Sequence, residues 1–310
     1  MKIILSRKGI DGGTGKRPSP LIKTKDGWVP VSIPIPGGNE RRTYGEVTVN
    51  GRNLGKLVAD LGVLDKGGKP ATSKTPVHFD PDLEESSVSR RPKGWLPLFG
   101  QCNAALGHLE KQDVTENDLF LFFGRFRKAR FVDGVLDFIP DEPEVHALFG
   151  WLQIGEVFCK NKSPEWATGH PHVNGDKETA RYGTVYASSS QLNLAQIANS
   201  RNLAGAGAFR RFTDSAQLTY PAPDASQHRL SRWKLPPAFF PDSPLSPLTY
   251  HSNLGRWTKH KDHTELNVVA RGQEFVLDLD PKKESGSKPF PSETRKAILR
   301  WVFEVIKTHA

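Results

Sequence analysis

Asp118-Leu-Phe-Leu-Phe-Phe-Gly124, followed by His146-Ala-Leu-Phe-Gly-Trp-Leu-Gln-Ile-Gly-Glu-Val157, decides how this chain folds. Each segment is a short apolar run, rich in aromatic residues and bounded by polar ones, as a buried strand is. Between them, Asp133-Gly134 sits between apolar flanks in Arg130-Phe-Val-Asp-Gly-Val-Leu-Asp137. That is a hairpin signal, because Asp and Gly both tolerate the positive φ of a tight turn. The spacing predicts strands at 118–126 and 146–157 within a four-stranded meander, and a further strand at 184–187. Strand 118–126 is apolar on both faces, so it is expected to be the buried spine, with any chemistry supplied by polar loops around it.

Working outward, Lys2–Leu5 reads as a short buried strand, and 9–39 as an extended, turn-bound segment rich in Gly and Pro. Leu54, Leu57, Val58 and Leu61 recur at helical spacing and predict a helix over 51–62 ending at Gly62, followed by a loop over 64–77. A second helix is expected over 104–112. The proline-rich stretch 221–250 is expected to wrap the surface as a long loop, and Glu274–Asp278 to form a strand. At the C-terminus Ser292 is placed to cap a helix whose apolar face is Ala297, Ile298, Trp301, Val302, Val305 and Ile306. The fold class is therefore α+β: one domain over 1–310, built on a curved, mainly antiparallel sheet with its core at about 118–190 and an amphipathic helix at about 292–308.

The chain has 310 residues, 28 Gly and 24 Pro, which favours many connections over a helical bundle. Its net charge of +9 raises the odds of an anionic partner such as nucleic acid, nucleotide or phosphate. With only Cys102 and Cys159 there is no disulfide framework and no paired-cysteine zinc motif. No apolar run is long enough for a membrane span, and the N-terminus carries no signal-like apolar region, so a soluble, cytoplasmic protein is expected.

Several short motifs could carry chemistry. Gly12-Gly-Thr-Gly-Lys16 is not a Walker loop: Ile10 stands where the first glycine belongs, and Arg17 replaces the magnesium-binding hydroxyl. It is either a looser phosphate nest, with Arg7, Lys8, Lys16 and Arg17, or a basic turn. In His78-Phe-Asp-Pro-Asp82, strand alternation would put His78, Asp80 and Asp82 on one side, as ligands for a divalent metal or an acid–base pair; the alternative is a local Asx turn. His170-Pro-His172 offers two imidazoles, with His78, His108, His146 and His251 as candidate further ligands if the fold gathers them. Gly205-Ala-Gly-Ala-Phe-Arg-Arg211 pairs small residues with Arg210 and Arg211, which suits a phosphate or base edge, or else a tight turn with a solvated rim. Trp151, Trp166 and Trp233 lie beside polar or proline-rich segments and could stack on a base, whereas core packing is the default for each.

Taken in order, these motifs form a recognisable set. Lys2-Ile-Ile-Leu-Ser-Arg-Lys-Gly9, Pro18-Ser-Pro20, His78-x-Asp-Pro-Asp82, Leu98-Phe-Gly-Gln101 and Asp118–Gly124 belong to it, as do Phe149-Gly-Trp-Leu-Gln153, His170-Pro-His172, Gly205-Ala-Gly207, Ser231-x-Trp-x-Leu-Pro236 and Gly272-Gln-Glu-Phe-Val-Leu-Asp278. The chain resembles the nucleotide modification associated domain family, third type, over nearly its whole length. That resemblance implies a link to systems that modify bases in DNA, often in bacteriophages and mobile elements. Locally, 118–157 is similar to the barrel core of PUA-like modules (the ASCH and EVE class), which implies a barrel and a ligand that is nucleic acid or a modified base.

The expected function is a nucleotide- or nucleic-acid-binding protein of DNA base modification, leaning towards an enzyme. Its catalytic or metal-holding groups would be His78, Asp80, Asp82 and His172, and its ligand or phosphate contacts Ser6, Arg7, Lys8, Gln101, Gly205, Gly207, Arg210 and Arg211. Alanine at Asp80 is then expected to abolish activity with little change in thermal stability. The alternative is a non-catalytic reader of modified nucleic acid, with salt-dependent binding and no metal requirement. A small-molecule hydrolase is disfavoured by the lack of a Gly-x-Ser-x-Gly elbow.

Overall fold

A computed structural model describes all residues except 39, 160–161, 175–182, 223, 243–244, 270–271 and 283–285. The chain opens with strands β1 (Lys2–Arg7), β2 (Ser19–Thr24) and β3 (Gly27–Pro30), then the short pair β4 (Thr48–Val49) and β5 (Arg52–Asn53) before helix α1 (Leu54–Asp60). Next come β6 (Leu98–Gln101), α2 (Asn103–Lys111), the long β7 (Leu119–Val132), β8 (Val135–Phe138) and β9 (Val145–Cys159). The remainder is α3 (Pro171–Asn174), β10 (Thr184–Ser188), β11 (Ala206–Ala208), β12 (Arg232–Leu235), β13 (Trp257–Lys259), β14 (Thr264–Asn267), β15 (Glu274–Asp278) and α4 (Ser292–His309).

β7 is the spine. Leu119 to Phe123 are buried on both faces, as a continuous apolar run requires. One edge of β7 carries β1 and then β2, both parallel to it; the other carries β9 and then β8, both antiparallel. Asp133 and Gly134 take φ of 49° and 80° at the β7–β8 turn, as that pair predicts. No meander results, because β9 pairs with the earlier part of the same β7 edge that β8 occupies further along, and does not add outside β8.

In all, ten strands join into one mixed, open sheet along β15–β1–β7–β9–β10–β6, and the described residues form no closed barrel. The barrel suggested by 118–157 is therefore corrected: its two long strands pair with each other, and the sheet stays open beyond them. At the β7–β1 seam the Lys8 N–H donates to the Phe123 carbonyl at 2.8 Å. A Cβ at Gly124 would lie 2.8 Å from the Lys8 carbonyl, so glycine lets β1 leave the sheet there and carry Lys8 outward.

The proline-rich stretch is not merely a surface loop. Within it, β12 alternates Trp233 and Leu235 inward, both buried, and pairs in a three-stranded sheet β12–β14–β13. Its four residues are too few to impose a visible period among the prolines. α1 is capped by Asn53, whose side chain accepts from the Gly55 N–H at 3.0 Å. α4 buries Ile298, Leu299, Val302, Phe303, Val305 and Ile306; Ser292 is its first residue and not its cap, Ala297 is exposed, and half-buried Trp301 meets Phe239 edge-on at 5.2 Å. Among the described residues no helix is long and apolar enough to cross a membrane.

Candidate functional site

Three distant segments meet where β1 ends. The segment 78–84 bridges to β6 through paired backbone hydrogen bonds between Asp82 and Leu98, at 2.9 and 2.8 Å. One residue pair along, the Gly100 N–H donates to Asp80 Oδ1 at 2.9 Å. The short α3, preceded by His170, then lowers His172 onto the same strand. A Cβ at Gly100 would stand 2.4 Å from the His172 ring, so this glycine makes the space that the imidazole occupies.

The result is a compact cluster. His78 Nε2 and His172 Nε2 are 3.2 Å apart, and His172 Nε2 is 3.8 Å from Asp80 Oδ2. One ligand atom from each of His78, Asp80 and His172 falls within 4.8 Å of the others. Around them, Glu40 Oε1 accepts from His78 Nδ1 at 2.9 Å, and His170 Nε2 donates to Asp80 Oδ1 at 3.1 Å. Asp80 and His172 are buried, and among the described residues the His172 Nδ1 has no hydrogen-bond partner.

Electrostatics sets the charge states. Burial pushes the Glu40 carboxyl up, yet the hydrogen bond and electrostatic interaction with His78, with backbone donors at Glu40 and Gly38, hold it down at about 2. Burial likewise opposes ionisation of Asp80, but His170, His172 and Lys8 outweigh it and keep its pKa below the usual range. Burial lowers His172 to about 3 despite Asp80, so its ring is neutral at pH 7. A neutral imidazole and ionised carboxylates suit either metal ligation or proton transfer.

His78, Asp80 and His172 open into a cavity of about 300 Å³ whose rim carries Arg7, Lys8 and Lys66, with Gln101 in its wall. Lys8 Nζ lies 3.0 Å from Glu274 Oε1 and 4.4 Å above the Phe99 ring, and Gln101 Nε2 donates to the same Glu274 oxygen at 2.6 Å. Glu274 is buried, and its Oε2 has no partner among the described residues. Glu40 and Glu274 were not among the predicted site residues, and His170, offered as a candidate ligand, instead braces Asp80. A charged residue at the start of the apolar run Phe275–Leu277 could have flagged Glu274; nothing local marks Glu40.

Other predicted residues lie elsewhere. Asp82 is turned away from the cluster: its carboxylate takes a bidentate pair of bonds from Arg91, at 2.5 and 2.6 Å. It faces a second cavity of about 390 Å³, where Arg41, Arg42, Arg90 and Arg91 surround Trp95 and Trp166. Ser6 is buried in β1 with no partner for its hydroxyl among the described residues. The space beside Gly205 is filled by the Ser189 carbonyl and that beside Gly207 by the Trp151 ring, so these glycines serve chain packing. Arg210 pairs with Glu84 and Asn50, and Arg211 donates to the Thr308 carbonyl; neither lines the histidine cavity. In the 12–16 loop the Asp11 carboxylate accepts from the Gly13 and Thr14 N–H groups at 2.7 and 2.8 Å, so the turn's amides serve an internal Asx turn. Trp151 and Trp233 are core; Trp166 alone of the three stacking candidates is half-exposed. His108, His146 and His251 bond to Thr249, Trp233 and Val269 and do not join the cluster.

Fold and site together define an α+β protein that gathers two histidines and an aspartate beside a cavity lined by Arg7, Lys8 and Lys66. The chain belongs to the nucleotide modification associated domain 3 family, whose model matches residues 2–278. That span includes every residue of the cluster and stops before α4. None of the curated proteins and none of the solved structures compared matches the chain.

Proposed function

We propose that this chain binds a nucleotide or an exposed nucleic-acid base and carries out a step of DNA base modification in the His78–Asp80–His172 cavity. The observation that carries this reading is the meeting of those three side chains beneath Arg7, Lys8 and Lys66. The cations suit phosphate, the imidazoles and carboxylate suit proton transfer or metal-assisted chemistry at the base, and the family name agrees with that substrate class. Asp82 leaves the catalytic set under this reading, because its charge is committed to Arg91. The test is binding of deoxynucleotides and of single- and double-stranded DNA, with mass analysis of nucleosides after incubation. Binding that weakens at least tenfold in Arg7→Ala supports the reading; unchanged binding in that variant, with unaltered nucleosides, overturns it.

A second reading, a non-catalytic reader, is favoured by the Trp95–Trp166 cleft. Half-exposed indoles among arginines are what a splayed strand stacks on. Under it, His78→Gln leaves DNA binding intact, whereas Trp166→Ala weakens it.

A further inference from the structure

We infer that His78, Asp80 and His172 form a binding site for one divalent transition-metal ion, with open coordination positions facing the cavity; this deepens the proposed function, whose cavity it shares.

The first argument is spacing. Ions such as Zn²⁺ sit about 2.0–2.2 Å from imidazole nitrogen and carboxylate oxygen, which places neighbouring ligand atoms roughly 3–3.5 Å apart. The two Nε2 atoms stand at 3.2 Å, and Asp80 Oδ2 is 3.8 Å from the nearer of them, so small side-chain shifts would close the set around an ion. Two imidazole nitrogens facing each other have one proton to share at best; an ion between them uses both lone pairs.

The second argument is that the other ligand-capable atom of His78 and of Asp80 is already held. His78 Nδ1 donates to Glu40, which leaves Nε2 with the lone pair, and a carboxylate behind a metal-binding histidine is a recurrent way to fix the ring. Asp80 Oδ1 is occupied by His170 and the Gly100 N–H, which leaves Oδ2 free to turn inward. The His170 ring is itself oriented, since its Nδ1 accepts from the His172 N–H at 3.3 Å.

Donor chemistry narrows the ion. Two imidazoles and one carboxylate favour Zn²⁺, Fe²⁺ or Co²⁺ over Mg²⁺ and Ca²⁺, which take oxygen shells. Three protein ligands leave room for water or substrate, and the lining of the cavity puts that room towards Lys8 and Gln101.

A rival cluster exists at His260, His263 and Glu265. There, however, Glu265 is held by Arg232 through bonds of 2.7 and 2.9 Å, so a dication would face a fixed guanidinium. It serves as the control.

The experiment strips the full-length protein with a chelator and titrates Zn²⁺, Co²⁺ and Mg²⁺ separately by calorimetry, with Co²⁺ absorption reporting the ligand field. One transition-metal ion per chain is expected, retained in His263→Ala and weakened at least a hundredfold in Asp80→Asn and His78→Gln; Mg²⁺ should bind far more weakly. Circular dichroism of the metal-free variants checks folding, and half-buried His78 provides the milder change should Asp80→Asn fail to fold. No stoichiometric ion in the parent, an ion lost in His263→Ala, or full affinity in His78→Gln would each overturn the site. Nucleotide binding without any metal binding would sink the site and leave the proposed function standing; metal binding with no nucleotide or DNA bound would do the reverse.

Discussion

At the scale of single residues, Gly100 and Glu40 control the cluster without belonging to it. Gly100→Ala pushes a methyl into the His172 ring, so it should cost about 1–3 kcal/mol of stability and displace the imidazole. The check is paired: a thermal melt, and a metal titration in which affinity falls with the melt. Glu40→Gln keeps the size but loses the charge behind His78, and should weaken metal binding by roughly 10–100-fold at a temperature well below the variant's own melt. Asp80 behaves differently from its sequence expectation. It is buried and accepts from both Gly100 and His170, so Asp80→Ala leaves buried donors unpaired at about 1–3 kcal/mol, and loss of activity there would not separate chemistry from folding. Asp80→Asn is the cleaner substitution. His78 and Asp80 were legible as a pair because two-residue spacing turns side chains the same way in an extended segment. Asp82 obeys the spacing and still leaves, because Arg91 offers a bidentate partner that alternation cannot reveal.

At the scale of elements, β9 does two jobs. It covers β7, and it brings His146 beneath β12, where the ring's Nδ1 accepts the Trp233 indole N–H at 3.0 Å. Burial, with the charges of Arg7 and Arg125, lowers this histidine from 6.5 to about 4. The unfolded chain therefore takes up a proton that the folded chain refuses, so this ring's contribution to stability is constant above about pH 6.5 and falls as pH drops towards 4. The fall attributable to this ring is roughly 2 kcal/mol, allowing for its partial exposure. His146→Gln can still accept from Trp233 but does not titrate, and its melting temperature should fall less than the parent's over that window. Equal pH profiles for the two proteins would remove His146 as the cause. For α4, Ile298 is fully buried, and Ile298→Ala should cost about 2–5 kcal/mol in denaturant unfolding. α4, β7 and the Asp133-Gly134 turn were readable because their signals are local: a helical period, an apolar run and a positive-φ pair.

At the scale of the whole molecule, the net charge of +9 is not spread evenly, since four arginines gather around Trp95 and Trp166 on the far side of the 78–84 segment from the histidine cavity. Arg41 and Arg90 are exposed there. If a DNA strand lies in this cleft, Arg41→Ala and Arg90→Ala should each lower the slope of log affinity against log salt by about one, without altering metal binding. Fluorescence anisotropy at several salt concentrations measures this, and slopes unchanged in both variants would take the strand elsewhere.

The sequence alone determined the class and the elements with strong local signals, such as β7, β9, α4 and the Asp133-Gly134 turn: apolar runs make strands, a 3.6-residue period makes a helix, and Asp-Gly makes the turn, because each depends on residues a few positions apart. The ordered motif set also pointed to the family. Only the tertiary structure decided that the sheet stays open, that Trp233 is core, and that Glu40, His78, Asp80, His170 and His172 share one site while Asp82, Arg210 and Arg211 do not. Those outcomes rest on contacts such as His78 with His172, 94 residues apart, and Gln101 with Glu274, 173 apart. Such contacts follow from how the strands order across β7 and from which buried charge finds which partner, and no local pattern encodes either.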